Sequence, residues 1–179
     1  MPPACTCVLF DFDDTLAVSR PVPTDGAETA APWLRLRGRE LCLIVPDTGR
    51  HLAVLADQGI SLGIVTASPT GVVAPALRQW GLWPVFADCL VTADRCRARK
   101  PSPVPVRMAL RLLGRTAAEA LLIGDSPDDA AAALAAGVRF ARAGWSPRPF
   151  PESDCHPAYG SLRELVEDCL DARLGEPML

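Results

Sequence analysis

Lysine is almost missing from this chain of 179 residues: of its 18 basic residues, Lys100 is the sole lysine and the other 17 are arginines. Long stretches of one kind are missing too. With a formal net charge of −3 and no polybasic run, electrostatic capture of nucleic acid or of an anionic membrane is not expected. The longest apolar runs, such as Ala130 to Ala136, fall far short of the roughly 20 residues that span a bilayer. The opening residues, Met-Pro-Pro-Ala-Cys-Thr-Cys, have neither the basic start nor the apolar stretch of a signal peptide, so a cytoplasmic location is expected. Cys-x-x-Cys is absent, the seven cysteines are odd in number and scattered, and Cys155-His156 stands without a second ligand pair. These features argue against a zinc site and against a disulfide framework, since a chain of this length builds its own core.

What the chain does have is alternation. Its composition, 49% hydrophobic and 22% charged, suits one soluble domain over residues 1–179. Apolar runs of strand length at 8–10, 60–65, 89–91, 120–123 and 138–141 are separated by helical patterns. These predict helices from an Asp47 cap to about 58, over 71–80, over 104–113, from Ser126 to Gly137, and over 161–171. Gly59, Gly81, Gly114 and Gly137 supply stops. Thr116 with Glu119, Ser126 with Asp129, and Ser161 with Glu164 have capping-box spacing. The fold class that follows is α/β: a three-layer, Rossmann-like parallel sheet with helices on both faces.

Two connections are long for such a fold: residues 16–46, and the proline-rich residues 144–160. The first is read as a flap insertion after the first strand. Within it, Trp33-Leu34-Arg35-Leu36-Arg37 alternates, Gly38-Arg39 gives a turn, and 41–45 is apolar, so a hairpin is expected.

In a doubly wound sheet, ligands bind beyond the carboxyl ends of the strands. The segments there are Asp11-Phe12-Asp13-Asp14-Thr15, Thr66-Ala67-Ser68, and Gly124-Asp125-Ser126-Pro127-Asp128-Asp129, with Lys100-Pro101 leading into a helix. Several carboxylates meeting one lysine repel one another unless a cation neutralises them. A hard divalent ion such as Mg2+ fits, because it takes one or two carboxylates, waters and a phosphate oxygen. An aspartate beside it could attack phosphorus and form an acyl phosphate. The ordinary reading of Lys100 is a solvated surface lysine, but this chain writes its surface cations as arginine. A buried site can demand a compact ammonium where a planar guanidinium does not fit.

These residues, Asp11-x-Asp13-x-Thr15, Thr66, Lys100 and Gly124-Asp125-x-x-x-Asp129, resemble the four ordered motifs of the haloacid dehalogenase superfamily, in its phosphatase branch of minimal-cap type. The resemblance covers about residues 7–145. It implies a Mg2+-dependent phosphomonoester hydrolase working through an aspartyl-phosphate. Asp11 would be nucleophile and metal ligand. Asp13 would protonate the leaving oxygen, activate water, and reach the metal through its backbone carbonyl. Thr66 and the Ala67 N–H would hold phosphoryl oxygens, and Lys100 would bridge the phosphoryl group and Asp11. Asp125 would complete the metal ligands, Asp129 would support them, and Thr15 would steady the loop. Asp129 also reads as a plain helix cap, and the two roles are compatible.

Within that family, the resemblance implies that Asp13 disfavours carbon–halogen cleavage and that the lack of a domain-sized insertion disfavours mutase chemistry. The alternatives are a phosphorylatable receiver-type switch and a binding module without turnover. The expected partner is a phosphorylated small metabolite rather than a macromolecule, with no nucleic acid and no membrane; the oligomeric state is open. Arg35 and Arg37 form either a solvated face or a contact to an anionic substrate group, to be told apart by replacing both with Gln and comparing KM for the true substrate and a generic aryl phosphate. His51 and His156 are weak candidates, and Trp145 is placed to reach the site mouth or simply to pack.

Overall fold

The structure, a computed structural model, describes residues 5–21, 35–36, 39–151 and 155–174. Numbered in chain order, the strands are β1 (Cys7–Phe10), β2 (Ala17–Pro21), β3 (Arg35–Leu36), β4 (Arg39–Leu43), β5 (Ser61–Val65), β6 (Leu90–Val91), β7 (Ala120–Gly124), β8 (Arg139–Ala143) and β9 (Ala158–Tyr159). The helices are α1 (Thr48–Asp57), α2 (Thr70–Gln79), α3 (Trp83–Phe86), α4 (Val104–Leu113), α5 (Pro127–Ala136) and α6 (Leu162–Leu174).

The apolar runs become the central strands of a six-stranded sheet of order β6-β5-β1-β7-β8-β9, parallel throughout. Both faces of such a sheet are covered, so its strands carry apolar residues in both directions. Val8 and Phe10 enter one core with Leu52, Leu55, Leu77, Phe86 and Leu165. Cys7 and Leu9 enter a second with Val106, Leu110, Ala133 and Phe140. Period-two alternation along β1 therefore divides the core into two layers, one with α1, α2, α3 and α6, the other with α4 and α5. The chain leaves β1 for β5 on one side and reaches β7 on the other. That reversal opens a crevice at the carboxyl ends of β1 and its neighbours.

Local signals place the helix ends. Gly59, Gly81, Gly114 and Gly137 all have positive φ, and Thr116–Glu119 and Ser126–Asp129 form reciprocal capping boxes. Ser161 Oγ accepts the Glu164 N–H, while Glu164 reaches back to the Gly160 N–H rather than that of Ser161. Asp47 takes the N-cap position of α1 without a side-chain cap; its carbonyl instead accepts from the following turn.

The structure differs from the sequence reading in four elements. Within residues 16–46, the main partner of β4 is β2, in register from Ala17↔Leu43 to Pro21↔Arg39, while β3 adds only the pairs Arg35↔Glu40 and Leu36↔Arg39. Ala-Val-Ser-Arg-Pro carries little strand signature, and its proline is tolerated because it ends an outer strand. Trp33, Leu34, Arg37 and Gly38 lie outside the described residues. Inside the proline-rich connection, the two-residue β9 adds to the sheet edge beside β8. Gly144 permits this, since a Cβ there would lie 2.6 Å from the Tyr159 carbonyl oxygen. The one-turn α3 was also unexpected from sequence; it is too short to display a helical period.

Candidate active site

Asp11 is the first residue beyond β1, and its N–H extends the ladder to the Ile123 carbonyl at 2.9 Å. The chain then makes a tight turn. The Leu16 and Ala17 N–H groups both donate to the Phe12 carbonyl at 2.9 Å, and Asp14 sits at φ 58. A left-handed φ is tolerable for aspartate, whose short polar side chain bonds locally. The turn buries Thr15 and exposes Asp13. At the end of β5, the Thr66 N–H donates to the Val91 carbonyl at 2.9 Å, fixing the hydroxyl toward Asp13. Thr66 Oγ1 donates to Asp13 Oδ2 at 3.2 Å and accepts the Ser68 N–H at 3.0 Å. Ser68 Oγ adds a second hydrogen bond to Asp13 Oδ2 at 2.8 Å.

Lys100 enters from the segment before α4. Its Nζ lies 2.6 Å from Asp11 Oδ1 and forms a second ion pair with Asp129 Oδ1. Asp129 is fully buried, and its two oxygens are divided: Oδ2 accepts the Ser126 N–H and hydroxyl, Oδ1 faces the ammonium. The cap and the support of Lys100 thus coexist in one carboxylate. Gly124 makes room for it, because a Cβ there would lie 2.6 Å from both Cβ and Cγ of Asp129. Asp125 follows, 3% exposed. Its Oδ2 is buried without a hydrogen bond, and Arg148 Nη1 stands 3.6 Å away.

Electrostatics reflect this crowding. Burial raises the Asp11 pKa and Asp129 adds to the rise, while Lys100 opposes it. Burial also works against the charge of Lys100, but Asp11 and Asp129 outweigh it and hold the ammonium above the usual lysine value. Burial, then Asp129, pushes Asp125 up to about 6. A site that makes its carboxylates costly to ionise calls for more positive charge than one lysine supplies.

The residues fit a hard divalent cation. Asp11, Asp125 and Asp129 are buried and each brings a ligand oxygen within 4.8 Å of the others. All the donors are oxygens, as such an ion requires. With both Asp129 oxygens engaged, Asp11 and Asp125 are the carboxylates available to it, and Asp125 Oδ2 has no donor of its own.

The structure brings Asp11, Asp13, Thr66, Lys100, Asp125 and Asp129 into one crevice, with Ala67 exposed between Thr66 and Ser68. His51 lies on α1 against the Asp47 carbonyl, and His156 packs edge-on to Phe140 with ring centroids 5.2 Å apart. Trp145 does reach the site's rim: its indole N–H donates to the Thr15 carbonyl at 2.8 Å. Two residues escaped sequence reasoning. Ser68 carried a usable signal, a hydroxyl two residues past Thr66; Arg148, one arginine among many, carried none.

The family model for haloacid dehalogenase-like hydrolases matches residues 35–143, most of the chain but not the segment of Asp11 and Asp13. Pyrophosphatase PpaX of Bacillus pumilus is 41% identical over 95 residues, covering 53% of this chain and 44% of that protein. A phosphoglycolate phosphatase of Pectobacterium atrosepticum is 41% identical over 102 residues, covering 57% of this chain and 42% of that one. The chain therefore spans less than half the length of these relatives. Among solved structures, a haloacid dehalogenase superfamily hydrolase of subfamily IA from Geobacter sulfurreducens has a TM-score of 0.59 at 28% identity, covering 71% of this chain and 61% of that one.

Proposed function

The chain belongs to the haloacid dehalogenase-like hydrolase family, and on that premise we propose that it is a Mg2+-dependent phosphomonoester hydrolase that works through an aspartyl-phosphate on Asp11. One observation carries the reading: Lys100 Nζ joins the carboxylates of Asp11, from the end of β1, and Asp129, from the first turn of α5, inside a buried cluster short of positive charge.

Asp11 and Asp125 would hold the Mg2+ ion, with the Asp13 carbonyl. Bound there, the ion supplies charge stabilisation for the phosphoryl oxygens. Asp11 forms the new O–P bond as the bond to the leaving oxygen breaks, and Asp13 gives that oxygen a proton. Both hydrogen bonds to Asp13 fall on Oδ2, which leaves Oδ1 to exchange the proton. Water then attacks the acyl phosphate, Asp13 takes its proton back, and Asp11 is regenerated. Lys100 holds Asp11 in line and offers a compact positive charge to the transferring group. Thr66 and the Ala67 N–H are suited to the remaining phosphoryl oxygens, and Asp129 to fixing Lys100.

We read residues 16–46 as a minimal cap within a single domain, and the substrate as a small phosphorylated metabolite. The named relatives act on phosphoglycolate and, in the other case, on a pyrophosphate. Both are small and carry a second oxyanion beside the scissile phosphate. The test is Mg2+-dependent phosphate release from 4-nitrophenyl phosphate by the wild type and by Asp11→Asn. Turnover is expected only in the wild type and only with Mg2+; no wild-type turnover, or equal turnover by both, would refute the assignment and favour a switch or silent module.

A further inference from the structure

The loop after β8 carries a guanidinium to the rim of the carboxylate cluster. It is anchored on both sides. At its start, the Trp145 indole is tied to the Thr15 carbonyl, and the Ser146 N–H donates to the Ala143 carbonyl at 2.9 Å. Farther on, Phe150 packs 6.4 Å from Phe140 between ring centroids and lies 5.2 Å from the Arg142 guanidinium. Between these anchors the Arg148 N–H donates to Ser146 Oγ at 3.1 Å. Arg148 Nη1 ends 3.6 Å from Asp125 Oδ2, while the side chain remains 56% exposed.

We propose that Arg148 is an exchangeable counter-ion: it neutralises Asp125 when no cation is bound, yields to a divalent cation, and then offers its guanidinium to a second oxyanion on the substrate. This rests on the reading of the cluster as a metal and phosphate site.

Three observations lead there. Asp125 Oδ2 is buried with no hydrogen bond, so it needs a cation. Lys100 is already committed to Asp11 and Asp129. Arg148 stands beyond hydrogen-bond distance from Asp125, so charge alone holds it and a half-exposed guanidinium leaves cheaply. A divalent ion on the same oxygen repels it. Its anchored loop keeps the displaced fork at the mouth, where a carboxylate or a second phosphate can take both N–H groups.

The test has two readouts on the full chain. Calorimetric titration of the substrate-free protein with Mg2+ should show Arg148→Gln binding about two- to fivefold more tightly than the wild type, the scale of an exposed ion pair. Arg163→Gln, the same charge change on α6, should not. Equal or weaker binding by Arg148→Gln overturns the counter-ion role. In kinetics, the KM of Arg148→Gln for a carboxylate-bearing phosphate monoester, and for a bisphosphate, should each rise about tenfold relative to its KM for 4-nitrophenyl phosphate. The larger rise identifies which oxyanion Arg148 holds, and Arg148→Lys should recover part of it. Parallel KM changes for all three esters overturn the substrate role. A wild type that binds Mg2+ but hydrolyses none of them sinks the phosphatase reading instead, and the Mg2+ titration still judges Arg148.

Discussion

Lys100 and Gly124 show how narrowly single residues define this site. The ammonium bridges Asp11 and a fully buried Asp129, a space in which a branched planar guanidinium does not fit. Lys100→Arg should therefore lower kcat/KM by at least about 100-fold while keeping the formal charge. Measuring it beside circular dichroism separates this from unfolding, and near-wild-type activity would show that charge alone suffices. Gly124→Ala acts one step away. The added methyl would meet the Asp129 side chain at 2.6 Å, forcing that carboxylate from Lys100 or from the Ser126 cap. We expect a loss of about 1–3 kcal/mol in urea unfolding and a fall in kcat of about 10- to 100-fold. Unaltered turnover would mean that Asp129 can shift freely without disturbing Lys100.

At the scale of elements, the start of α2 shows a cap supplied from a distance. Pro69 occupies the N-cap position and has no capping group, and Asp94, from the segment after β6, accepts the Thr70 N–H at 2.8 Å and the Thr70 hydroxyl at 3.0 Å. The backbone hydrogen bond from Thr70 leads in lowering the Asp94 pKa from 3.8 to about 2. A lowered carboxyl pKa stabilises the fold above the unfolded value and loses that effect as pH falls toward the folded one. The stability gap between wild type and Asp94→Ala should thus be constant above about pH 5 and shrink as the pH is lowered toward 2. A gap that stays constant into acid would exclude the cap. Local sequence patterns do not identify Asp94 as the cap of α2, because its partner lies 24 residues away. The same limit separates the elements read correctly from those missed. β1, β5, β7, α4 and α5 announce themselves through apolar period, capping boxes and glycine stops, all local signals. β2 and β9 are strands only because β4 and β8 lie beside them. Arg148, likewise, matters through a contact with Asp125 made 23 positions along the chain.

For the whole molecule, the net charge of −3 conceals an unequal distribution. Asp11, Asp125 and Asp129 are buried together against Lys100, so the cation-free fold carries an internal charge penalty. Part of its pH dependence follows from Asp125, whose pKa rises from 3.8 to about 6, and Asp11, which burial also raises, adds to the decline. Between these values the folded state keeps a proton that the unfolded chain has released, so stability falls as pH rises through the window. Above it the Asp125 share of the penalty applies in full, on the order of 2 to 3 kcal/mol. Mg2+ should relieve this: at about 100 times its Kd, it adds about 2.7 kcal/mol, or about 5–10 °C in Tm for a domain of this size. The increment should be large at pH 7.5 and small at pH 5, where a protonated Asp125 resists the metal. Asp125→Asn should flatten the decline of cation-free stability with pH and also abolish most of the Mg2+ increment. Thermal scans with and without chelator at both pH values test these effects together. An increment that persists undiminished in Asp125→Asn, or is equal at the two pH values, would mean that the ion stabilises the protein somewhere other than this cluster.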